Sequence, residues 1–137
     1  MQSYFLVFLG GGIGSMARFL FSKIFASISP GILGSNLTSG GFSAAIGTFA
    51  ANLTGCFLLG IILAFHDSGK MSGTTSFLLA TGFCGGLTTF SSFIFELTSL
   101  QSQNKTYLSI GYFVASIIIA IVLAVSSYSI STKLLNS

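Results

Sequence analysis

The chain has 137 residues, of which 52% are hydrophobic and 5% charged, and its formal net charge is +3. Soluble domains carry about a quarter charged residues, so this composition excludes a soluble globular protein and indicates an integral membrane protein. The five basic residues must be shared between two membrane surfaces and make no phosphate-binding patch, so a nucleic-acid partner is also excluded.

Four long apolar runs are predicted to span the membrane as helices. They cover residues 4–26, 42–65, 75–100 and 107–130. Polar or turn-forming residues separate them at 27–41, which holds the only proline, at 66–73 and at 101–106. Since each crossing takes roughly 20–25 residues, residues 1–137 are predicted to form a single transmembrane domain. Transmembrane strands would need alternating segments of about ten residues, which the sequence lacks, so we predict an all-α, multi-pass protein.

The first span begins close to the N-terminus but does not have the pattern of a cleavable signal peptide. No basic residue precedes it, and Gly10, Gly14 and Arg18 interrupt its apolar core. We therefore expect this span to remain in the mature protein.

The distribution of basic residues predicts how the chain inserts. With four spans, the membrane face that carries the termini holds Lys70 and Lys133, and the opposite face holds Lys23 and Lys105, with Arg18 further inside the first span. The positive-inside rule needs an excess on one side, so this balance predicts insertion in both orientations. Two oppositely inserted copies can form an antiparallel homodimer, a two-chain version of the inverted repeats of transporters. A single orientation fixed by weaker signals is the alternative.

The second span carries a line of polar residues on one helix face. Thr48, Asn52 and Cys56 recur at every fourth position. An amide within a span needs a partner, so Asn52 is predicted either to make an interhelical hydrogen bond or to line a pore. Rows of small residues that allow close helix packing lie at Gly10/Gly14, Gly47/Ala51/Gly55 and Gly82/Gly86.

The third span contains paired glycines followed by four hydroxyl residues, Gly85-Gly86 and then Thr88, Thr89, Ser91 and Ser92. Each glycine lowers helix propensity by about 1 kcal/mol relative to alanine, and nearby hydroxyls can satisfy the backbone groups that a helix break would free. Broken helices in membranes expose carbonyls and amides that hold small ions. A glycine-rich packing face without a break explains the same residues.

Three motifs follow one another along the chain: GGIGSMARF at 11–19, GTFAANLTGCFLLG at 47–60, and GFCGGLTTFSSF at 82–93 with Glu96 after it. In this order they resemble the small fluoride channels called Fluc or CrcB-like proteins. The resemblance covers the whole chain, and the third motif is its most specific part. It implies a dual-topology dimer with two pores that passively conducts fluoride and rejects chloride.

The resemblance also implies roles for individual residues. A break in the third span at Gly85 to Thr88 would meet its copy in the partner and bind one structural sodium ion through the carbonyls of Gly85 and Thr88. The Asn52 amide would donate to fluoride, and the rings of Phe90 and Phe93 would line each pore by their edges. Hydroxyls would add a polar track, for which we expect Thr89, Ser91, Ser92, Tyr112 and Ser116.

The chemistry of these residues agrees with a fluoride pathway. Amide N–H groups, hydroxyls and ring edges are neutral donors, which can replace water around an anion without trapping it. Arg18 is the one basic residue clearly inside a span. It is predicted either to draw anions into the entrance or, as we favour, to pair structurally with Glu96, because an unpaired charge there costs roughly 2.5–3.5 kcal/mol or more.

Enzyme functions find little support in the sequence. The single histidine, His66, lies at a span boundary, Asp67 and Glu96 are far apart in sequence, and Cys56 and Cys84 are expected to be free buried thiols. The main alternative function is that of a small dual-topology, proton-coupled multidrug exporter. Such exporters need a carboxylate, usually in the first helix, where this chain has none. A second alternative is an assembly subunit that transports nothing. For the channel we expect a bacterial plasma membrane location, and the partner copy can be identical or a paired homologue.

Overall fold

The computed structural model describes residues 1–33 and 42–136, and these residues are helical apart from short connections. The elements are α1 (Gln2–Leu33), α2 (Phe42–Asp67), α3 (73–87), α4 (Phe90–Ser102) and α5 (Thr106–Asn136). Four stretches are long and apolar enough to cross a membrane, at Gln2–Ile28, Ala44–Asp67, Gly73–Ser102 and Thr106–Asn136. The prediction of an all-α protein with four potential membrane spans is therefore confirmed.

Two helices are longer than the apolar runs that predicted them. Helix α1 continues to Leu33, so the first part of the predicted 27–41 connection is helical, and the part at 34–41 lies outside the described residues. Helix α5 continues to Asn136, six residues beyond the predicted 130. Hydropathy detects only the part of a helix that hydrocarbon can cover, whereas backbone hydrogen bonds can continue the helix into water.

Helix α3 changes its winding along its length. It comprises an α-helical turn at Gly73–Ser76, a π-helical segment at Phe77–Cys84 and a last α-helical turn at Gly85–Leu87. The paired glycines are thus helical. The two residues after α3 have extended backbone angles, with ψ of 152° at Thr88 and 123° at Thr89, before α4 begins at Phe90.

Glycines bring the backbones of α1 and α3 into direct contact. A Cβ atom added to Gly10 would meet the carbonyl oxygen of Leu78, and one added to Gly14 would meet the carbonyl oxygen of Phe83. From the other side, a Cβ on Gly86 would meet the carbonyl oxygen of Gly11. The small-residue rows of the two helices therefore face each other, as expected for close packing of membrane helices.

Helix α2 lies at the centre of the fold, and its glycines face three different neighbours. A Cβ on Gly47 would lie 2.8 Å from the Cα atom of Ser22 on α1. A Cβ on Gly55 would meet the methyl group of Thr88, and one on Gly60 would meet Ser127 on α5. This central position allows polar side chains of α2 to reach the connection between α3 and α4 as well as α5.

Large apolar side chains are exposed on the outer helices. They include Phe5, Phe8 and Phe19 on α1 and Ile118, Ile121 and Val125 on α5. In a soluble protein such a surface would be a liability, whereas in a bilayer it is the surface that lipid covers.

Candidate functional site

A cavity of about 360 Å³ lies between α2, the end of α3, the start of α4 and α5. Its walls include Gly85 and apolar residues such as Leu59, Ala80 and Ile117. None of the described residues that line it carries a charge. Its amide, hydroxyl, thiol and aromatic side chains are those of Asn52, Cys56, Cys84, Thr88, Thr89, Phe90, Phe93 and Ser116.

Asn52 joins α2 to the extended residues between α3 and α4. Its Nδ2 atom donates to the carbonyl of Thr89 at 3.3 Å, and its Oδ1 atom accepts from the Thr89 backbone N–H at 2.7 Å. The side chain thus pairs with both backbone groups of a residue outside any helix, which would otherwise be left without helical partners. One amide N–H of Asn52 remains beyond this pair. The structure therefore places Asn52 both at a helix contact and on the cavity wall.

The end of α3 is closed by Thr88. The Thr88 backbone N–H and Oγ1 both donate to the carbonyl of Cys84, at 2.9 and 3.0 Å. In a continuous α-helix the next N–H, that of Thr89, would donate to the carbonyl of Gly85. That N–H is bonded to Asn52 instead, so the Gly85 carbonyl lacks its usual helical donor beside the cavity.

The two phenylalanines of the third motif occupy different environments. Phe93 is 3% exposed, and its ring meets that of Tyr112 edge to face, with centroids 5.1 Å apart and an interplanar angle of 65°. Phe90 is 72% exposed, and its ring centroid lies 6.1 Å from that of Phe93. Both rings line the cavity, but only Phe93 belongs to the core of the chain.

The predicted hydroxyl track divides into two groups. Ser116 lines the cavity, and its buried hydroxyl has no hydrogen-bond partner within the described part of the chain. Ser91 and Ser92 lie in the first turn of α4, where their hydroxyl oxygens are 3.2 and 3.3 Å from Oγ1 of Thr89, and neither lines the cavity. Thr89 Oγ1 also accepts from the Ser92 backbone N–H, and so caps the helix.

Glu96 is buried at 6% exposure and is held by two hydroxyl groups. Thr48 Oγ1 donates to one carboxylate oxygen at 2.5 Å, and the Tyr112 hydroxyl donates to the other at 2.9 Å. Tyr112 thus forms a hydrogen bond with Glu96, and neither of these residues lines the cavity. These contacts tie α4 to α2 and α5 through charge-assisted hydrogen bonds.

The predicted ion pair between Arg18 and Glu96 is not formed among the described residues. Glu96 faces α2 and α5, which supply its hydroxyl donors, whereas Arg18 is partly exposed on α1. The sequence indicated a charged partner for Glu96, and its contact with Thr48 was not predicted. The available signal was its spacing, because Thr48 lies one helical turn before Asn52 on the same face.

Comparison with known proteins gives a consistent result. The family model described as CrcB-like protein, Camphor Resistance (CrcB), matches residues 5–128. A relative from Gloeothece citriformis is 39% identical over 117 residues, which cover 85% of this chain and 86% of that protein. A relative from Chlorobium phaeobacteroides is 40% identical over 114 residues, which cover 82% of this chain and 80% of that protein. One from Francisella tularensis subsp. mediasiatica is 33% identical over 130 residues, 91% of both. All three are named fluoride-specific ion channel FluC.

Proposed function

This chain belongs to the CrcB-like family, and we propose that it is a passive, fluoride-selective ion channel. Its relatives are named as fluoride-specific channels, and channels are not enzymes. The multidrug exporter that the sequence left open finds no support in these matches. The chain is therefore a multi-pass membrane protein of a fluoride channel family.

The observation that carries the proposal is the unpartnered hydroxyl of Ser116 in an uncharged cavity. A buried hydroxyl without a partner in the described residues retains a donor for an anion or its hydration water. The spare N–H of Asn52 and the ring edges of Phe90 and Phe93 supply further donors around the same cavity. Fluoride is small and strongly hydrated, so several neutral donors can replace its water while still allowing release.

We further propose that the working unit is an antiparallel dimer with two pores, in which the third span crosses the membrane as two half-helices, α3 and α4. The balance of Lys70 and Lys133 against Lys23 and Lys105 supports insertion in both orientations. The extended backbone at Thr88 and Thr89 supports a third span in two halves. The second copy is this chain or a close homologue, and the surrounding membrane is the bacterial plasma membrane.

A structural sodium ion fits the residues at the end of α3. The Gly85 carbonyl, which lacks its usual helical donor, and the carbonyl of Thr88 would hold the ion together with their copies in a second chain. Carbonyl oxygens are ligands that alkali cations accept in channels. Bound there, the ion would supply positive charge between the two chains, while the protein's own Asn52–Thr89 pair fixes the backbone that presents those carbonyls.

Arg18 and Glu96 take different roles in this proposal. Arg18 is partly exposed and has no ion pair among the described residues, so it attracts anions toward the aqueous entrance. Glu96 is occupied by two hydroxyl donors and positions α4 relative to α2 and α5. Because HF crosses lipid and dissociates in a more alkaline cytoplasm, a passive pore lets the membrane potential drive the resulting fluoride out of the cell.

Ion flux from liposomes tests the proposed activity. Purified protein is reconstituted with internal potassium fluoride and potassium chloride, potassium efflux is allowed by an ionophore, and both anions are followed with electrodes. Loss of fluoride without loss of chloride, and without a proton gradient, is the expected result. Proton-driven uptake of a cationic dye, or no flux above that of empty liposomes, contradicts the proposal.

The orientation of the chain is tested separately. A protease site and epitope tag after residue 137 should be cut in about half of the chains in sealed vesicles if both orientations occur equally. Cleavage of all chains, or of none, contradicts dual topology in a homodimer. Co-purification of two differently tagged copies then tests whether the chain pairs with itself.

A further inference from the structure

Two cysteines face the cavity from neighbouring helices. Cys56 lies on α2 and Cys84 at the end of the π-helical segment of α3, and both are free thiols. Both belong to the lining of the 360 Å³ cavity that also contains Ser116. Neither is needed for the fluoride chemistry proposed above, which uses amide, hydroxyl and ring donors.

The contacts around Thr88 bring together the backbone segments that carry these two cysteines. Gly55, the residue before Cys56, lies so close to Thr88 that an added Cβ would meet the Thr88 methyl group. Thr88 in turn donates two hydrogen bonds to the carbonyl of Cys84. The backbone segments that carry the two cysteines therefore both contact Thr88 at the junction between α3 and α4, and both cysteines line the same cavity.

We propose that Cys56 and Cys84 together form a binding site for a soft monovalent cation of the copper(I) and silver(I) class, and that its occupancy blocks fluoride. The binding part of this inference stands on the thiol pair alone, while the block rests on the proposed function. Two thiols and one cation give a two-coordinate bis-thiolate complex, with both sulfur–metal bonds formed and two protons released to water.

The lining residues favour this class of ion over others. Thiolates bind soft ions such as copper(I), whereas hard cations prefer oxygen ligands. Zinc sites use four ligands, or three with water, drawn from Cys, His, Asp and Glu, and the described lining offers only two such residues. Copper(I) and silver(I) accept two sulfur ligands in a linear arrangement, so the pair can complete their coordination.

The charge of the complex explains the block. Two thiolates and one monovalent cation carry a net charge of −1 in a cavity whose described lining is otherwise uncharged. A fixed negative charge in a low-dielectric site repels fluoride far more strongly than it would in water. The bound ion also fills space that the hydrated anion would use.

Direct metal binding tests the site without relying on transport. Purified protein is dialysed against silver nitrate in chloride-free buffer with imidazole as a competing ligand, and bound silver per chain is measured by elemental mass spectrometry. One silver per wild-type chain is expected. The single variants Cys56→Ser and Cys84→Ser should each need a silver concentration at least roughly tenfold higher to reach half-occupancy of the site, because the second ligand of a chelate acts at high effective concentration. Equal affinity in the wild type and both single variants, or binding that persists in the double variant, overturns the shared site.

Flux in the same chloride-free buffer tests the block. Fluoride efflux from liposomes is measured for each variant with and without silver, and each rate is compared with the silver-free rate of that variant. Silver should slow wild-type efflux by roughly tenfold or more and leave the double variant unaffected, with reversal by dithiothreitol. A block that persists in the double variant overturns the proposal, since methionine or His66 would then be the target. A wild type without any fluoride flux would contradict the proposed function, while the silver stoichiometry would still decide the metal site.

Discussion

The two parts of the third span are held in the fold by different means. Helix α3 rests on α1 through glycines, with backbone against backbone at Gly11 and Gly86. Helix α4 is instead held by polar side chains, where Glu96 meets hydroxyls from α2 and α5 and Thr89 meets the amide of Asn52. The first part therefore depends on the absence of side chains, and the second depends on particular side chains.

This difference bears on the proposed channel. A backbone contact between α1 and α3 leaves little freedom to adjust, so it fixes where the carbonyls of Gly85 and Thr88 lie. The polar contacts of α4 are directional, and they orient Phe93 and the Asn52 amide toward the cavity. Substitutions in α3 are therefore expected to act on folding, and substitutions around the start of α4 on conduction.

The largest effect is expected from Gly86→Ala. The new methyl group would collide with the carbonyl of Gly11, and overpacking of this kind costs about 1–3 kcal/mol or more. We expect a large loss of monodisperse protein in detergent and a lower denaturation midpoint in a dodecyl sulfate titration followed by circular dichroism. Gly12→Ala is the control, since a Cβ there meets nothing within 4 Å. Equal behaviour of the two variants would contradict the close contact.

Asn52→Asp is expected to have the next largest effect, on flux. The new carboxylate can still accept from the Thr89 N–H, but it cannot donate to the Thr89 carbonyl or to an anion, and its charge repels fluoride. Fluoride efflux from liposomes should fall by roughly tenfold or more, which corresponds to at least about 1.4 kcal/mol on the barrier. Asn104→Asp, in the connection before α5, is the matched control and should conduct as the wild type does. Unchanged efflux in Asn52→Asp would remove this residue from the site.

Hydropathy and spacing predicted a substantial part of this structure. The four apolar runs predicted the four potential spans. The separation of four residues between Thr48 and Asn52 placed both on one face of α2. These signals are local, because one helix determines which of its residues share a face or can lie in hydrocarbon. Local signals left the two proposed roles of Asn52 open, and its partner Thr89 became clear only in three dimensions.

The contacts that sequence could not predict join distant segments. Glu96 was expected to pair with Arg18, yet its partners are Thr48 and Tyr112, because a buried carboxylate can be satisfied by hydroxyl donors as well as by a cation. The paired glycines show the same limit. A Cβ on Gly86 would clash with the backbone of α1. The nearest atom to a Cβ on Gly85 would be the carbonyl oxygen of Ala80, at 4.0 Å, so that position has room for a methyl group. Adjacent helical residues point about 100° apart, so tertiary structure alone assigns their roles.

The comparison of Phe90 with Phe93 separates folding from conduction within α4. Phe93→Ile should lower the free energy of unfolding by about 1 kcal/mol, because it removes a buried ring that contacts Tyr112. Phe90→Ile should change stability by less than about 0.5 kcal/mol, because that ring is 72% exposed, yet it should reduce fluoride efflux several-fold. Dodecyl sulfate titrations and liposome efflux on both variants measure the two quantities. Normal efflux in Phe90→Ile would exclude its ring from the conduction path.

The smallest effect, expected from Tyr112→Phe, isolates one polar contact of α4. Phenylalanine keeps the ring that packs on Phe93, so the variant removes only the hydroxyl that donates to Glu96. An intramolecular hydrogen bond contributes about 0.5–1.5 kcal/mol net, and because Thr48 still donates to the carboxylate we expect a loss near the lower end. Tyr107→Phe removes a hydroxyl from a side chain that is 94% exposed, and it should be nearly neutral in the same dodecyl sulfate titration. If both variants unfold at the same midpoint, the Tyr112 hydroxyl does not hold α4, and the contrast between the two parts of the third span must rest on the contacts of Thr48, Asn52 and Thr89.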